Sequence, residues 1–553
     1  MRDYLKEHKL KPGLITAILG LIIFLLYAYL SIVTSPVDSI HGNRILNSPD
    51  ETSTYFFIDN FAKTGSVVVA EPLNKLAGNV IHVRGMLVKS DGSLAPGSFL
   101  GIILFYGSLA SVFGLGIVPY LTPLLAVFGL GFFYFVLKHL WGRKIAAIST
   151  ILLALHPSWL LYSSRSMFHS VPFLSFLFAG SYFLLRYVKE KNSSFLLGAG
   201  LFIGLSAVTR TAEVTWMVPV LIILLFTLRK EYSFKHLSIF IASVSLPILL
   251  IFWVNNLTYG AALSSGYGQI LSDPGGSLNT TGSISIFSRL YDLILPFGFH
   301  PRLALNNFVS FYSNLFWWLS WPALLGGILL IWNIFKKGNV AHSKKWYLLI
   351  VFIIGLVQVA TYGSYYIDDI LQPGAVSLSV SYVRYWLPLY AVTLPLTTWG
   401  ILFLVSKISL AKLKIFITSI ILIAVSFLSF RLAFWSDRDS ILQVAKSINQ
   451  SYQKQESVQG IVESEAVIVT ERNDKVFFPN FSVIPGFLRD QNAPGVANLI
   501  NQVPLYYYTF LNDQDVDLLS SQRLLQERVS LIEPIVISGQ ERLFKIVSIT
   551  DSK

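Results

Sequence analysis

A chain of 553 residues in which 54% are hydrophobic and only 13% are charged is too apolar for a water-soluble protein of this length. Its mean hydropathy is +0.60, and apolar stretches of about 20 residues, the length that crosses a bilayer, recur along it. The absence of cysteine excludes disulfides and thiolate metal sites. The net charge of +12 is explained by basic loops between membrane spans and does not indicate nucleic acid binding.

These properties predict an all-α polytopic membrane protein with about 11 transmembrane helices. The first span follows Lys6, Lys9 and Lys11. It is longer than the core of a signal peptide and has no obvious small-residue cleavage site, so we interpret it as a retained anchor. The predicted spans are 14–34, 117–137, 145–162, 171–188, 194–209, 212–228, 237–254, 308–334, 346–366, 385–405 and 414–434.

The connections between these spans alternate in charge. Clusters of Lys and Arg occupy the N-terminus and every second connection, as at Arg143 and Lys144, whereas the connections between them hold few cations. Basic loops stay on the cytoplasmic side, so this pattern predicts a cytoplasmic N-terminus. The predicted domains are a transmembrane domain, 1–436, and a soluble extracytoplasmic domain, 437–553.

One apolar segment does not fit this alternation. Residues 96–114 are apolar enough to be taken for a span, but counting them would place every later basic cluster outside. We therefore predict a helix that lies in, or dips into, the outer leaflet. The first outer loop then covers about 35–116, which is long enough to contain juxtamembrane helices of its own.

An acidic pair, Asp50 and Glu51, follows the first span by a few residues. Carboxylates at a membrane exit can perform acid–base chemistry on the head group of a lipid-linked substrate. The alternative is structural, because Ser48, Pro49 and Glu51 together have the pattern of a capping box at a helix start. The two interpretations are compatible, since a capped helix start holds a carboxylate rigidly.

Several cations stand near predicted outer membrane boundaries. Arginine matches phosphate oxygens bidentately, so each is a candidate ligand for a lipid phosphate. The alternative for any one of them is contact with ordinary phospholipid head groups. Arg384 is the best candidate because aromatic residues flank it at a span entrance. The candidates are Arg84, Arg165, Arg210 and Arg384, with Lys89 as a further one.

Histidines on the predicted outer face offer a weaker signal. No two of them have the spacing of metal ligands, so a metal site built from them is a weak alternative that the sequence leaves open. Loop histidines without a catalytic role are commoner. They are His41, His82, His169 and His300.

The C-terminal segment is predicted to be a small α/β or α+β domain. Residues 466–470 and 543–549 have the β-branched composition of strands, and 520–531 has the pattern of an amphipathic helix. No motif for chemistry is visible in it.

Taken together, these segments resemble the GT-C glycosyltransferase superfamily, in particular the branch of protein O-mannosyltransferases and the lipid A aminoarabinose transferase. The resemblance covers roughly 14–390. The matching features are, in chain order, Asp50-Glu51 with Tyr55 and Gly65, the apolar helix from Pro96-Gly97 to Phe113-Gly114, a Leu-Trp-Gly-Arg-Lys turn at 140–144, a Pro-containing turn at 157–172, the segment from Gly200 to Arg210, and Arg384-Tyr385 with Pro388.

The chain also departs from that pattern. Relatives often carry Lys-Pro-Pro where this chain has Leu94-Ala95-Pro96-Gly97, so Lys89 is the remaining candidate for that lysine. Many relatives carry an acidic residue in the outer turn before the fourth span, where 166–172 has none. A metal site or second acid carried over from relatives is therefore in doubt. The Trp-Trp-Asp motif of oligosaccharyltransferases is absent too, because Leu319 follows Trp318.

The resemblance implies transfer of a sugar from a polyprenyl-phosphate carrier to an acceptor hydroxyl on the outer face, with inversion. It implies Asp50 as general base and Glu51 as its orienting neighbour or an acceptor ligand. The implied ligands of the donor phosphate are Arg84, Lys89, Arg210 and Arg384, with Arg165, His169 and Tyr55 as outer-face contributors. The acceptor is a protein, a glycan or a lipid; no cofactor is certain, and a divalent metal is left open.

Two rival functions share these residues. A transporter or flippase of lipid-linked sugars would use the same cations for binding without chemistry. Transporters usually carry charged residues or helix breaks at mid-bilayer, whereas the charges here gather at span boundaries. A catalytically inactive relative is the third hypothesis.

Overall fold

Apolar segments must satisfy their backbone polar groups internally when lipid surrounds them, and a helix does so within one segment. The computed structural model describes residues 12–37, 42–267, 295–337, 341–366, 376–378, 382–436, 440–488 and 492–549. Its helices are α1 Pro12–Val33, α2 Pro49–Thr64, α3 Leu100–Phe113, α4 Val118–Trp141, α5 Arg143–Ala154, α6 Pro157–Ser164, α7 Ser170–Glu190, α8 Ser193–Thr209, α9 Val214–Thr227, α10 Phe234–Tyr259, α11 Pro301–Asn307, α12 Trp317–Lys337, α13 His342–Thr361, α14 Leu387–Ser406, α15 Ala411–Trp435, α16 Ile441–Gln459, α17 Asp474–Phe477, α18 Ala493–Leu499 and α19 Asp513–Leu519.

The chain is an integral membrane protein. Among the described residues, eight helices are long and apolar enough to cross a membrane, or ten spans if each of two bent helix pairs is one span. The pairs are α5 with α6, bent by 56°, and α8 with the helical segment Thr211–Thr227, bent by 112°. The prediction of eleven spans differs because it counted the two arms of the second pair separately.

The described residues form two compact units. The first contains those within Met1–Ile32, Pro119–Ile248 and Ile284–Gln443. Its core is a continuous aromatic and aliphatic cluster that includes the fully buried Trp159 and Trp386. Two of its helices, α12 and α14, approach each other through glycine: a Cβ at Gly326 would lie 2.0 Å from the carbonyl oxygen of Leu396. Such contacts let membrane helices pack at backbone distance.

The second unit contains the described residues of Val33–Val118, Leu249–Ser283 and Val444–Lys553. Its first part is α2 packed on α3, where Gly107 faces the ring of Phe61. The α3 helix has 14 residues, so it is too short to count as a full span, and its position at the outer leaflet stays a prediction. Between α2 and α3 lies an antiparallel hairpin of β1 Met86–Val88 and β2 Leu94–Pro96.

The C-terminal part of this unit is a mixed five-stranded sheet. Its strands are β3 Val467–Thr470, β4 Ser482–Pro485, β5 Leu505–Thr509, β6 Val529–Ser538 and β7 Glu541–Ser548, in the spatial order β4–β3–β5–β7–β6. The first three are parallel with helices between them, which confirms the predicted mixed helix and strand domain. Ala77 and Ile81 of the first long loop belong to the same buried core as β3 and β5.

The predicted helix at 520–531 is wrong. Only one turn, Ser520–Leu524, is helical, and the chain then enters β6 after Arg528, whose φ is +57°. The β6 strand pairs with β7, and Val529 is buried in the core of the sheet. Pairing along a β-branched segment therefore prevails over the amphipathic pattern.

Candidate functional site

The acidic pair stands at the start of α2. Pro49 opens the helix, and the backbone N–H of Thr52 donates to the carbonyl of Ser48 at 3.0 Å. The Ser48 side chain makes no capping hydrogen bond, so the predicted capping box is wrong. Asp50 and Glu51 lie instead in the first turn, where the helix dipole favours negative charge. Glu51 is buried, whereas Asp50 is partly exposed.

A glycine turn lies against Asp50. The Ser53 hydroxyl donates to the carbonyl of Gly85 at 2.9 Å, and the backbone N–H of Gly97 donates to the same oxygen at 3.0 Å. Gly85 has a φ of +89°, and a Cβ there would lie 3.4 Å from Oδ1 of Asp50. The left-handed backbone, which glycine adopts without strain, therefore brings this turn close to the carboxylate.

Arg84, the neighbour of Gly85, is held by a buried acid. Its Nε and Nη2 donate to Oδ1 of Asp474 at 3.0 and 2.7 Å, and its backbone N–H donates to Oδ2 at 2.9 Å. The Asp474 side chain is fully buried and that of Arg84 is 36% exposed. The Arg84 charge is therefore already balanced within the unit.

Three other predicted residues of the second unit are partly buried. Lys89 lies in the turn of the β1–β2 hairpin, where its backbone N–H donates to the carbonyl of Ser93 at 2.8 Å. Tyr55 is half-buried on α2; burial raises the pKa of its phenol, and the nearby Arg44 partly opposes this. Burial lowers the pKa of His82, opposed in part by a contact to the carbonyl of Val83 and by Asp474.

In the first unit, Arg210 lies in the bend between α8 and the helical segment Thr211–Thr227. Its Nε is 3.2 Å from Oε1 of Glu213, and both side chains are buried, at 3% and 0% exposure. Its Nη1 donates to the Ser170 hydroxyl at 2.9 Å and to the carbonyl of Arg384 at 3.2 Å. The guanidinium therefore joins the bend to the segment that carries Arg384.

Tyrosines complete this polar cluster. The Tyr362 hydroxyl donates to Oε1 of Glu213 at 2.9 Å, and its ring stacks on Tyr385 with centroids 4.8 Å apart. The Arg210 guanidinium lies over the Tyr385 ring at 5.0 Å. The Tyr382 hydroxyl donates to the carbonyl of Tyr362. The turn around Arg384 is thus tied at several points to Tyr362, directly after α13.

Two predicted cations share one aromatic ring. The guanidinium carbons of Arg165 and Arg384 each lie 4.7 Å from the ring centroid of Phe168. Arg165 is 3% exposed and Arg384 is 8% exposed. Arg384 also donates to the Tyr385 hydroxyl at 3.1 Å. Two buried guanidiniums therefore make cation–π contacts with the same ring.

The segment from Arg165 to Ser170 is held in place on both sides. The Ser166 hydroxyl donates to the carbonyl of Pro119 at 2.9 Å, and the Thr122 hydroxyl donates to the carbonyl of Ser166 at 2.6 Å. His169 precedes α7, and its carbonyl accepts from the backbone N–H of Phe173 at 3.0 Å. His169 thus lies in the same turn as Phe168 and beside Ser170, which binds Arg210.

No group of three or more His, Asp or Glu that could hold a metal occurs within the part of the chain that the structure describes. His41 and the N-terminal lysines lie outside the described residues. A metal site was only an open alternative in the sequence, and it stays untested.

Sequence reasoning missed the partners of the predicted cations. Glu213 stands three residues after Arg210, a spacing that allows an ion pair on one helical turn and could have identified it. No such spacing links Asp474, Tyr362 or Phe168 to the sequence-distant arginines that they contact. Asp474 is 390 positions from Arg84, and Phe168 is far along the chain from Arg384.

Comparisons with known proteins agree with this fold. Residues 105–255 match the family model described as dolichyl-phosphate-mannose-protein mannosyltransferase. No curated protein sequence matches the chain.

Solved structures match over most of the chain. The structure of ArnT from Cupriavidus metallidurans bound to undecaprenyl phosphate has a TM-score of 0.52 at 10% identity, covering 96% of this chain and 97% of its own. The archaeal oligosaccharyltransferase AglB from Archaeoglobus fulgidus, with an inhibitory peptide and a dolichol-phosphate, has a TM-score of 0.52 at 11% identity, covering 89% and 69%. At these identities the likeness shows the fold alone, and it confirms the fold that the sequence resemblance implies.

Proposed function

Because this membrane protein has the fold of the GT-C glycosyltransferase superfamily, we propose that it transfers a sugar from a polyprenyl-phosphate-linked donor to an acceptor hydroxyl. The similar structures support the donor class, since one holds undecaprenyl phosphate and another a dolichol-phosphate. The sugar and the acceptor, whether protein, glycan or lipid, are left open by this proposal.

The observation that carries the proposal is the pair of buried guanidiniums on Phe168. Arg165 lies within the residues that match the mannosyltransferase family, and Arg384 reaches the same ring from the later part of the chain. We assign these two arginines to the donor phosphate. One guanidinium can donate to two phosphate oxygens at once. The attraction between the guanidinium and the phosphate is stronger in a buried site than in water.

Arg84 and Arg210 receive a different role. Each already has a buried carboxylate partner, Asp474 or Glu213, so each is better suited to hold structure than to capture an anion. Lys89 is partly exposed in a hairpin turn and is kept as a second ligand of the donor.

The reaction needs one base. The oxygen of the acceptor hydroxyl attacks the anomeric carbon, and the bond from that carbon to the phosphate oxygen breaks. The acceptor proton passes to Asp50, while the carrier leaves as a monophosphate with its new charge stabilised by the arginines. A single displacement inverts the configuration at the anomeric carbon. Glu51 orients Asp50, and Tyr55 and His169 contribute to substrate binding in this scheme.

The proposal includes an orientation. The basic connections support a cytoplasmic N-terminus, and in that orientation the acidic pair and the C-terminal domain lie outside the cytoplasm. The carrier phosphate would then be bound at the outer surface.

The test is sugar transfer by the purified full-length protein from radiolabelled polyprenyl-phosphate sugars to a membrane-extract acceptor pool, run with EDTA and with added Mn²⁺. Loss of the base should lower transfer by Asp50→Asn about 10²–10⁴-fold. The matched control is Asp59→Asn, on the same helix but paired with Lys63, which should retain activity. Unchanged transfer in Asp50→Asn would remove Asp50 as base. Donor binding without transfer by wild type would favour a transporter or an inactive relative.

A further inference from the structure

Glu213 is a buried charge for which the proposed reaction has no direct use. Its side chain is fully buried, and both of its oxygens accept: Oε1 from the Tyr362 hydroxyl at 2.9 Å, beside Nε of Arg210 at 3.2 Å, and Oε2 from the indole N–H of Trp216. A carboxylate held in this way is badly placed to accept a proton from a substrate. Burying an ion pair is costly unless such contacts offset the lost hydration.

The groups that Glu213 holds act on the turn that presents Arg384. Nη1 of Arg210 donates to the carbonyl of Arg384 at 3.2 Å. Beside it, the Gln358 side chain donates to the carbonyl of Tyr385 at 3.1 Å. The centroid of the Tyr385 ring lies 4.8 Å from that of Tyr362 and 5.0 Å from the Arg210 guanidinium.

A chain of contacts therefore runs from Glu213 through Arg210 to the backbone of Arg384. If Glu213 lost its charge, the guanidinium of Arg210 would lose its ionic partner while staying buried. The carbonyl of Arg384 would then lose a fixed donor, and the Arg384 side chain would lose a defined approach to Phe168. Arginine binds phosphate well only when its planar fork is correctly oriented.

We propose that Glu213 is a positioning residue for donor binding, which holds Arg210 so that the Arg384 turn presents its guanidinium to the donor phosphate. This inference rests on the proposed function, because it requires that Arg384 binds phosphate. Arg210 also bonds to the Ser170 hydroxyl, at the end of the turn that carries Arg165 and Phe168. Arg210 therefore contacts both segments that carry a cation on the Phe168 ring, the one with Arg165 and the one with Arg384.

The experiment is a double-mutant cycle on the binding of undecaprenyl phosphate to the full-length protein in nanodiscs. The variants are Glu213→Gln, Arg384→Ala and the double variant. Glu213→Gln should weaken binding about 10-fold, the size expected when one charged contact is lost. In the Arg384→Ala background the same change should have little further effect, because Glu213 acts through Arg384.

The matched control is Glu190→Gln, which removes an exposed acid paired with Arg186 at 2.5 Å in the same unit and should leave binding unchanged. Tyr362→Phe serves if Glu213→Gln does not fold. It removes only the hydroxyl bonded to Glu213 and Arg210, keeps the stacked ring, and should weaken binding about 5-fold, again only when Arg384 is present.

The outcomes separate the inference from the proposed function. No binding of undecaprenyl phosphate by wild type, or full binding by Arg384→Ala, would refute the donor assignment itself. Weakened binding in Arg384→Ala with unchanged binding in both Glu213→Gln and Tyr362→Phe would refute only the positioning role. Equal weakening by Glu213→Gln with and without Arg384 would also refute it, since the effect would then not pass through that residue.

Discussion

The four predicted arginines differ in the groups that they contact. Arg84 and Arg210 are both predicted phosphate ligands, and each is bound to a buried carboxylate in the structure. Arg165 and Arg384 each lie 4.7 Å from the ring centroid of Phe168. The carboxylate partners suit Arg84 and Arg210 to hold the fold, and the proposed function assigns the donor phosphate to Arg165 and Arg384.

The partly buried position of His82 makes stability depend on pH. Burial lowers the pKa of this histidine below that of the unfolded chain, so the unfolded state binds more protons as the pH falls. We expect the thermal unfolding midpoint to fall as the pH decreases from 7.5 toward 5.5, and His82→Gln to reduce that fall. The exposed His300 gives the control: His300→Gln should follow wild type. Identical pH profiles for wild type and His82→Gln would contradict this explanation.

Among the elements, the close contact between helices α12 and α14 depends on the positions of two glycines. Gly326 of α12 faces the carbonyl of Leu396, and Gly400 of α14 faces the carbonyl of Pro322, where an added Cβ would lie 2.2 Å away. The two helices therefore approach reciprocally through backbone. Gly327, next in sequence to Gly326, has only Leu396 nearby, at 3.9 Å from an added Cβ.

Adding one methyl group at this crossing should force the helices apart. We predict that Gly326→Ala or Gly400→Ala destabilises the protein by about 1–3 kcal/mol, the usual cost of overpacking. Unfolding in detergent by heat or denaturant measures the effect. Gly327→Ala should be nearly neutral, and equal losses for Gly326→Ala and Gly327→Ala would show that the close contact is not what stabilises this pair.

The helices and strands also show which features of the fold can be predicted from the sequence. Long apolar segments identified the spans well, because the lipid requires helices of that length. The sequence predicts a boundary at Arg210 but not the 112° bend there, nor the pairing of Arg210 with Glu213. The strand β6 was mistaken for part of a helix because its partner β7 is not visible in a local pattern.

The candidate site was predicted in part. Its cations were found because the predicted outer connections hold few Lys and Arg, and Asp50 because an acidic pair follows the first span. Their partners could not be found, because contacts such as Arg84 with Asp474 join residues far apart in sequence. The Ser48 cap failed for another reason: a cap motif permits a hydrogen bond but does not compel the hydroxyl to make it.

On the scale of the whole molecule, each of the two units is built from separate stretches of the chain. In the second unit, the first long loop contributes Ala77 and Ile81 to the core of the C-terminal sheet. The backbone N–H of His82 donates to the carbonyl of Val483 in β4 at 2.9 Å. Arg84 and Asp474 add an ion pair between the same two stretches. The C-terminal residues thus support the loop that carries Gly85 beside Asp50.

Because of the ion pair between Arg84 and Asp474, a single substitution should lower the stability of the protein. Asp474→Asn should destabilise the protein by about 2 kcal/mol, less than for a fully buried pair because Arg84 is partly exposed. The control is Asp513→Asn, since Asp513 is a highly exposed acid paired with Arg542, and it should change little. Thermal unfolding measures both, and equal stability of Asp474→Asn and wild type would argue against a supporting role for the pair.

The central claim is that the carrier phosphate binds where Arg165 and Arg384 share the ring of Phe168. The most direct measurement is an experimental structure of the full-length protein with undecaprenyl phosphate in a lipid nanodisc. We predict phosphate density within hydrogen-bond distance of both guanidiniums, with Arg210 still paired to Glu213. Phosphate bound elsewhere, with the Arg165 and Arg384 side chains in contact only with protein, would contradict the account.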